Sequence, residues 1–248
     1  DMKIIAQPES YSDMLERVFA TTVASGLVCT AILANASPSV KALLDSIKTE
    51  AGIGPIKAVR ALYVLLPILI AMISRIIRLH DKISDVLHIR MMFDTRYILL
   101  PMARLSGAEV DTHMRQRLLS LREPAMYKVF YPYVSLPTPA IDRQLIRTAL
   151  DNWGWFWACV ESAFLFIITG SIIRIIGRDI EFYLCVIVLL MIGLLLTTQW
   201  IACRRSADRQ VRAIIDDPQR RTSIQEYFAA IQQKASDHCV QDCNMETV

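Results

Sequence analysis

The sequence predicts an all-α integral membrane protein. It has four transmembrane helices, a helical cytoplasmic module between the second and third, and a helical cytoplasmic tail. Three observations predict this. Four mostly apolar runs are long enough to cross a bilayer core, which takes about 20 helical residues. The charged residues, 21% of the chain against 54% hydrophobic, collect between and after those runs. Tryptophans stand at the ends of the last two runs, where indole rings favour the membrane–water interface.

Asp1 reads as a remnant before a native start at Met2, and residues 1–17 as a cytoplasmic segment. Asp13 and Glu16 precede the first apolar run and no basic segment does, so no secretory signal is read there. The first span, 18–36, is rich in small residues, among them Ala20, Ala24, Ser25, Gly26 and Cys29. Small residues let a neighbouring helix approach closely, so this span should face protein or a polar cavity rather than lipid. Thr22, Gly26 and Thr30 recur every fourth residue on it, a stripe that suits either helix packing or a pore lining.

Residues 37–60 form an external loop. Ser37 followed by Pro38 signals a helix start. Val40, Leu43, Leu44 and Ile47 share a face and Gly52 stops it, which describes a short amphipathic helix on the membrane surface. The second span, 61–78, contains Pro67, and Arg75 lies well inside it.

The cytoplasmic module covers 79–152. Val110, Met114, Leu118 and Leu121 follow helical spacing, with Asp111 placed four before Arg115 as a helix-stabilising pair. The stretch YKVFYPYVSLPTP reads as extended, and Thr138–Pro139 as the start of the helix that enters the third span. Of His80, Asp81, Asp85 and His88, the last three share a helical face that resembles carboxylate–imidazole ligation; a solvated polar face explains it equally well, and no metal site is assigned.

The third and fourth spans form an antiparallel hairpin, 153–203. Phe182–Cys203 carries no formal charge, while the third span holds Glu161 near its centre. A charge at that depth costs a few kcal/mol and marks a functional site by default. The competing expectation is structural: an ion pair with Arg75, or a protonated Glu161 bonded to Ser162 or Thr22. The functional one is ion or proton passage, or gating.

The tail, 204–248, opens with Arg204, Arg205, Arg209 and Arg212, which set orientation and are candidates for lipid-headgroup binding. With that end cytoplasmic, Lys41, Lys48, Lys57, Arg60, Arg174 and Arg178 are the six of 27 basic residues that do not face the cytoplasm, and both termini lie inside. A capping box, Ser223–Glu226, reads as the start of a last helix with Ile224, Phe228 and Ile231 along one face. That face must be buried by the module or by a neighbour, which points to a homo-oligomer. His238, Cys239 and Cys243 lack a fourth ligand for zinc.

Cys29, Cys159, Cys185 and Cys203 lie in apolar runs and act as small hydrophobes, so no disulfide framework is expected. A net charge of +3 does not call for a nucleic-acid partner. No phosphate loop, dinucleotide fingerprint or nucleophile elbow occurs, so neither an enzyme nor a cofactor is expected. The expected role is an oligomeric anchor or scaffold of the inner (cytoplasmic) membrane that couples a soluble cytoplasmic partner to the lipid bilayer, within secretion or phage-defence machinery by analogy. The alternative is a triggered pore or ion channel, and the third reading a small-solute transporter.

Overall fold

A computed structural model describes residues 7–46, 61–135 and 138–245, with side chains to residue 233. Asp1, Ile47 and Gly52 lie outside them, as do the side chains of His238, Cys239 and Cys243. Among the described residues every element is helical and none is a strand: α1 (Tyr11–Ala36), α2 (Pro38–Asp45), α3 (Ala61–Ile76), α4 (Leu79–Val86), α5 (Ile89–Phe93), a π-helical turn (Asp94–Leu99), α6 (Leu100–Ser106), α7 (Thr112–Ser120), α8 (Arg122–Val129), α9 (Tyr131–Val134), α10 (Arg143–Ile176), α11 (Asp179–Ile215) and α12 (Pro218–Met245). The chain divides into two units. The first comprises 1–83 and 150–201, the second 84–149 and 202–248.

In the first unit, Ser10 caps α1 by accepting from the Asp13 N–H at 3.1 Å. Ser37 ends α1 and caps α2, accepting from the Val40 N–H at 3.4 Å with Pro38 in the first turn. Leu44 is buried while Leu43 is 65% exposed, so α2 buries a narrower stripe than its spacing suggests. α1, α10 and α11 meet in a core of Cys29, Ile32, Ala36, Phe166, Ile173, Cys185 and Ile192, where the two free thiols act as small apolar groups. α3 lies against α1 at a close approach. A Cβ on Gly26 would stand 3.0 Å from the Pro67 Cβ, so the glycine forms the notch that the proline ring fills.

α1, α10 and α11 are each long and apolar enough to cross a membrane. In α11 only 11% of the most apolar 18-residue stretch is buried, which leaves a leucine-rich surface that water would penalise heavily and lipid would not. Of the second span expected over 61–78, α3 covers 61–76. α3 has 16 residues, and it makes a fourth crossing only if α3 and α4, bent by 57°, are taken together. The cause is local: Arg78 adopts φ 52°, the left-handed conformation that ends a helix, and α4 restarts at Leu79. The hairpin joint consists of two residues, Gly177 and Arg178. Gly177 takes φ 77°, and Arg178 donates from Nε to the Ala36 carbonyl at 3.1 Å, satisfying the C-terminal end of α1.

The second unit closes around Phe93, Leu99, Met102, Leu118, Met126 and Phe228, all under 2% exposed. Pro101 follows the π-helical turn: it has no N–H to give Tyr97, and the Leu100 N–H reaches back instead to the Thr95 carbonyl. Asp111 caps α7, accepting from the Met114 N–H at 2.6 Å, in place of the expected pairing with Arg115.

Three further expectations are corrected here. The aromatic-rich part of the stretch YKVFYPYVSLPTP, Tyr127–Val134, is not extended: it holds the end of α8 and all of α9. Pro124 and Pro132 sit in first turns, where the missing N–H costs nothing, and burial of Met126, Val129 and Phe130 overrides their β preference. α10 starts at Arg143 rather than at Thr138–Pro139, with Asp142 accepting from the Gln144 N–H at 2.9 Å. α12 starts at Pro218 rather than at Ser223, because Asp217 caps it, accepting from the Gln219 and Arg220 N–H groups at 2.9 and 3.1 Å. The face carrying Ile224, Phe228 and Ile231 is buried, and α12 packs on α6 and α7. It therefore needs no neighbouring copy to cover it.

Candidate functional site

Glu161 points into the first unit and is 3% exposed. A carboxylate there loses most of its hydration, so its partners decide what it can do. They come from three elements besides α10. Thr22 of α1 lies with Oγ1 2.8 Å from Glu161 Oε2. Ser74 of α3 donates to the same oxygen at 3.0 Å. His80 of α4 places Nδ1 3.7 Å from Oε1. The backbone delivers each of them: Ser74 stands two turns after Pro67, on the face that meets α1, and the left-handed turn at Arg78 swings His80 back toward α10.

The other side of the imidazole faces a second carboxylate. His80 Nε2 is 3.7 Å from Asp81 Oδ1, and Asp81 is held by Arg78 at 2.6 Å. His80 is 6% exposed, and its Nε2 finds no hydrogen-bond partner among the described residues. Its ring lies 6.0 Å from Trp157. A cavity of about 60 Å³ opens beside these groups, lined by Tyr11, Phe19, Arg75, Arg78, His80 and Glu161 among others. That is room for at least one water.

Arg75 is exposed, and its guanidinium lies over the Phe19 ring at 5.9 Å, so the structure gives Glu161 hydroxyl and imidazole partners in place of the expected arginine. Ser162 meets Ser25 at 2.7 Å and not Glu161. Of the stripe on α1, Thr22 joins the site, Gly26 is closed against Pro67, and Thr30 is buried. Asp81, Asp85 and His88 form no group of three that could hold a metal among the described residues.

Arg204, Arg205, Arg209 and Arg212 belong to the second unit and lie exposed on one side of α11, with Cys203, Ala207 and Val211 buried on the other. Arg204 stacks over Tyr97 at 4.7 Å and Arg212 pairs with Asp208 at 2.9 Å. They stand apart from the Glu161 cluster in sequence and unit.

Two features escaped the sequence reading. Ser74 carries no signal beyond being a hydroxyl in an apolar run. Arg17, placed there in a solvated segment, is 3% exposed: it pairs with Asp151 and lies 5.0 Å from the Trp155 ring. The signal available was an acid two residues before the first indole. Around it Trp153 and Trp157 stack at 6.1 Å, and Phe156 meets Trp200 at 5.6 Å.

Among known families, the YmfE protein family matches residues 10–230, and the chain belongs to it. No curated protein and no solved structure matches.

Proposed function

We propose that this YmfE-family chain is an anchor of the cytoplasmic (inner) membrane that ties a soluble cytoplasmic partner to the bilayer as an oligomer, with both termini inside and the bent α3–α4 pair as a fourth crossing. The observation that carries it is the surface of α11. Leu184, Ile187, Leu190, Met191, Leu194 and Leu195 are all exposed, and the exposed arginines at 204, 205, 209 and 212 begin where that surface ends. Apolar helix surface followed at once by a basic face suits a span leaving the membrane on the anionic cytoplasmic side. The second unit then offers a folded helical body for a partner, and its role is binding rather than catalysis.

The test is purification in detergent or nanodiscs, with particle mass and bound proteins measured. An oligomer that retains a soluble protein and passes no current in a planar bilayer supports the anchor. A chain that stays in solution without amphiphile after ultracentrifugation, or a monomer that retains nothing, overturns it. A triggered pore is the second reading, favoured by the polar cluster and cavity at Glu161. It requires a current that changes in Glu161→Gln or along Thr22, Gly26 and Thr30.

A further inference from the structure

We propose that Asp81, His80 and Glu161 form a proton relay that loads a proton from the solvent side of α4 onto the buried Glu161 carboxyl. The ligand of the site is the proton itself. This goes beyond the anchor reading and does not rest on it.

The geometry is a row. Arg78, 69% exposed at its side chain, holds Asp81, which is 15% exposed. Asp81 faces His80 Nε2, and His80 Nδ1 faces Glu161 Oε1, each at 3.7 Å. Both gaps exceed a hydrogen bond, and each is closed by one bridging water or a shift of less than an ångström. The buried Nε2 without a hydrogen-bond partner is the group that a resting relay leaves waiting. In that state the neutral ring carries its proton on Nδ1. A proton arriving through Asp81 bonds to Nε2 and makes the imidazolium. The ring then releases its Nδ1 proton to Glu161 Oε1. Glu161 becomes a neutral acid, the ring is left protonated on Nε2, and the protein has gained one positive charge. Return of the proton by the same route resets the ring.

Thr22 is compatible with both protonation states of Glu161. Its hydroxyl has one proton but two acceptors within reach, Glu161 Oε2 at 2.8 Å and the Val18 carbonyl at 2.9 Å. With Glu161 ionised, Thr22 donates to the carboxylate. With Glu161 protonated on Oε1, where the relay delivers the proton, Oε2 is the carbonyl oxygen of the acid, a weaker acceptor, and Thr22 turns its proton to the Val18 carbonyl. One set of positions accommodates both protonation states, while Ser74 donates to Oε2 in each. The remaining groups at the cavity are Tyr11, Arg75 and Arg78; the two cations offset the carboxylates, and none of the three stands between His80 and Glu161 in the row.

The experiment is infrared difference spectroscopy, acid minus neutral, on the full chain in nanodiscs. Measured in an Asp94→Asn background, so that the other buried acid contributes nothing, a carboxylic-acid carbonyl band is expected that is lost in Glu161→Gln. In His80→Gln and Asp81→Asn the band keeps its size but forms about a hundredfold more slowly after a pH jump, the scale of losing a positioned proton carrier. Thr22→Val removes a hydroxyl that lies against the carbonyl oxygen Oε2 of the acid and shifts the band without abolishing it. An undiminished spectrum in Glu161→Gln in that background, or a Glu161 band that forms at the wild-type rate in both relay variants, overturns the proposal. Should Glu161→Gln lose helix content, Thr22→Val decides: a shifted band supports the assignment and an unshifted one refutes it.

Discussion

Gly26→Ala adds a single methyl group at the closest approach of α1 and α3. That methyl would lie 3.0 Å from the Pro67 Cβ, 3.3 Å from its Cα and 3.8 Å from its Cγ. Carbon atoms in ordinary contact stand about 3.5–4.0 Å apart, so the helices must separate by about 0.5–1 Å. No rotamer change relieves the clash, because the proline ring is locked to its own backbone. Overpacking of this kind costs about 1–3 kcal/mol. Gly193→Ala is the matched control: nothing lies within 4 Å of a Cβ there, so its effect should stay within about 0.5 kcal/mol. Both variants are compared by denaturant titration in bicelles, followed through the indoles at 153, 155, 157 and 200. The titration midpoint should fall for Gly26→Ala alone. Because Ser74 rides on α3 two turns beyond Pro67, the same separation should shift the Glu161 carbonyl band. Equal stability of Gly26→Ala and wild type, or equal damage from Gly193→Ala, refutes the notch argument.

Burial pushes the Asp94 carboxyl up to about 6 from its ordinary 3.8, against the opposing pull of Arg122 at 2.9 Å and of Arg90. A raised value means stability fully present below about pH 4 and lost as pH rises through about 6, on the order of 3 kcal/mol in all. Asp94→Asn should abolish that slope. The check is the rate at which buried Cys203 becomes labelled by a thiol reagent, taken as a ratio of wild type to variant at each pH so that thiol chemistry cancels. Asp151→Ala takes a carboxylate partner from the Arg17 guanidinium, 3% exposed, and should cost about 3 kcal/mol or more, whereas Arg17→Met with Asp151→Leu should cost less. Thermal unfolding of the three chains in one detergent settles the order. Phe228→Ala opens a cavity at a fully buried position and should cost about 3–5 kcal/mol. Limited proteolysis should then cut near Pro218 well before the wild type is cut.

The helices of α1, α10 and α11 were legible because a long apolar run has few solutions other than a helix in lipid. The break between α3 and α4 was not, since a left-handed arginine leaves no pattern; Arg78 looks like any cation at the end of a span. Tyr127–Val134 misled through the β preference of its aromatic residues, which lost to Pro124 and Pro132 in first turns and to burial of Val129 and Phe130. The start of α12 turned on a choice between two caps, and the Asp217–Pro218 pair outcompeted Ser223. At Glu161 the charge was legible and three of its four relay and anchoring partners were not. Ser74, His80 and Asp81 lie more than 75 residues away in sequence, and only the close seat of α3 on α1 together with the turn at Arg78 brings them near.

A purely structural pin at position 161 would not need a carboxylate. The amide oxygen of a glutamine accepts the hydroxyls of Thr22 and Ser74 as well as a carboxylate oxygen does, and an amide avoids the several kcal/mol of burying an ion. What a carboxylate adds is a state that an amide cannot reach, charged at one moment and neutral at another. The surroundings of Glu161 make that difference usable: an imidazole on one oxygen with a second acid behind it, and on the other a hydroxyl able to turn to Val18 when the charge is gone. Replacing Glu161 by glutamine should therefore preserve stability to within about 1 kcal/mol while abolishing proton uptake, and that separation marks a binding group rather than a brace.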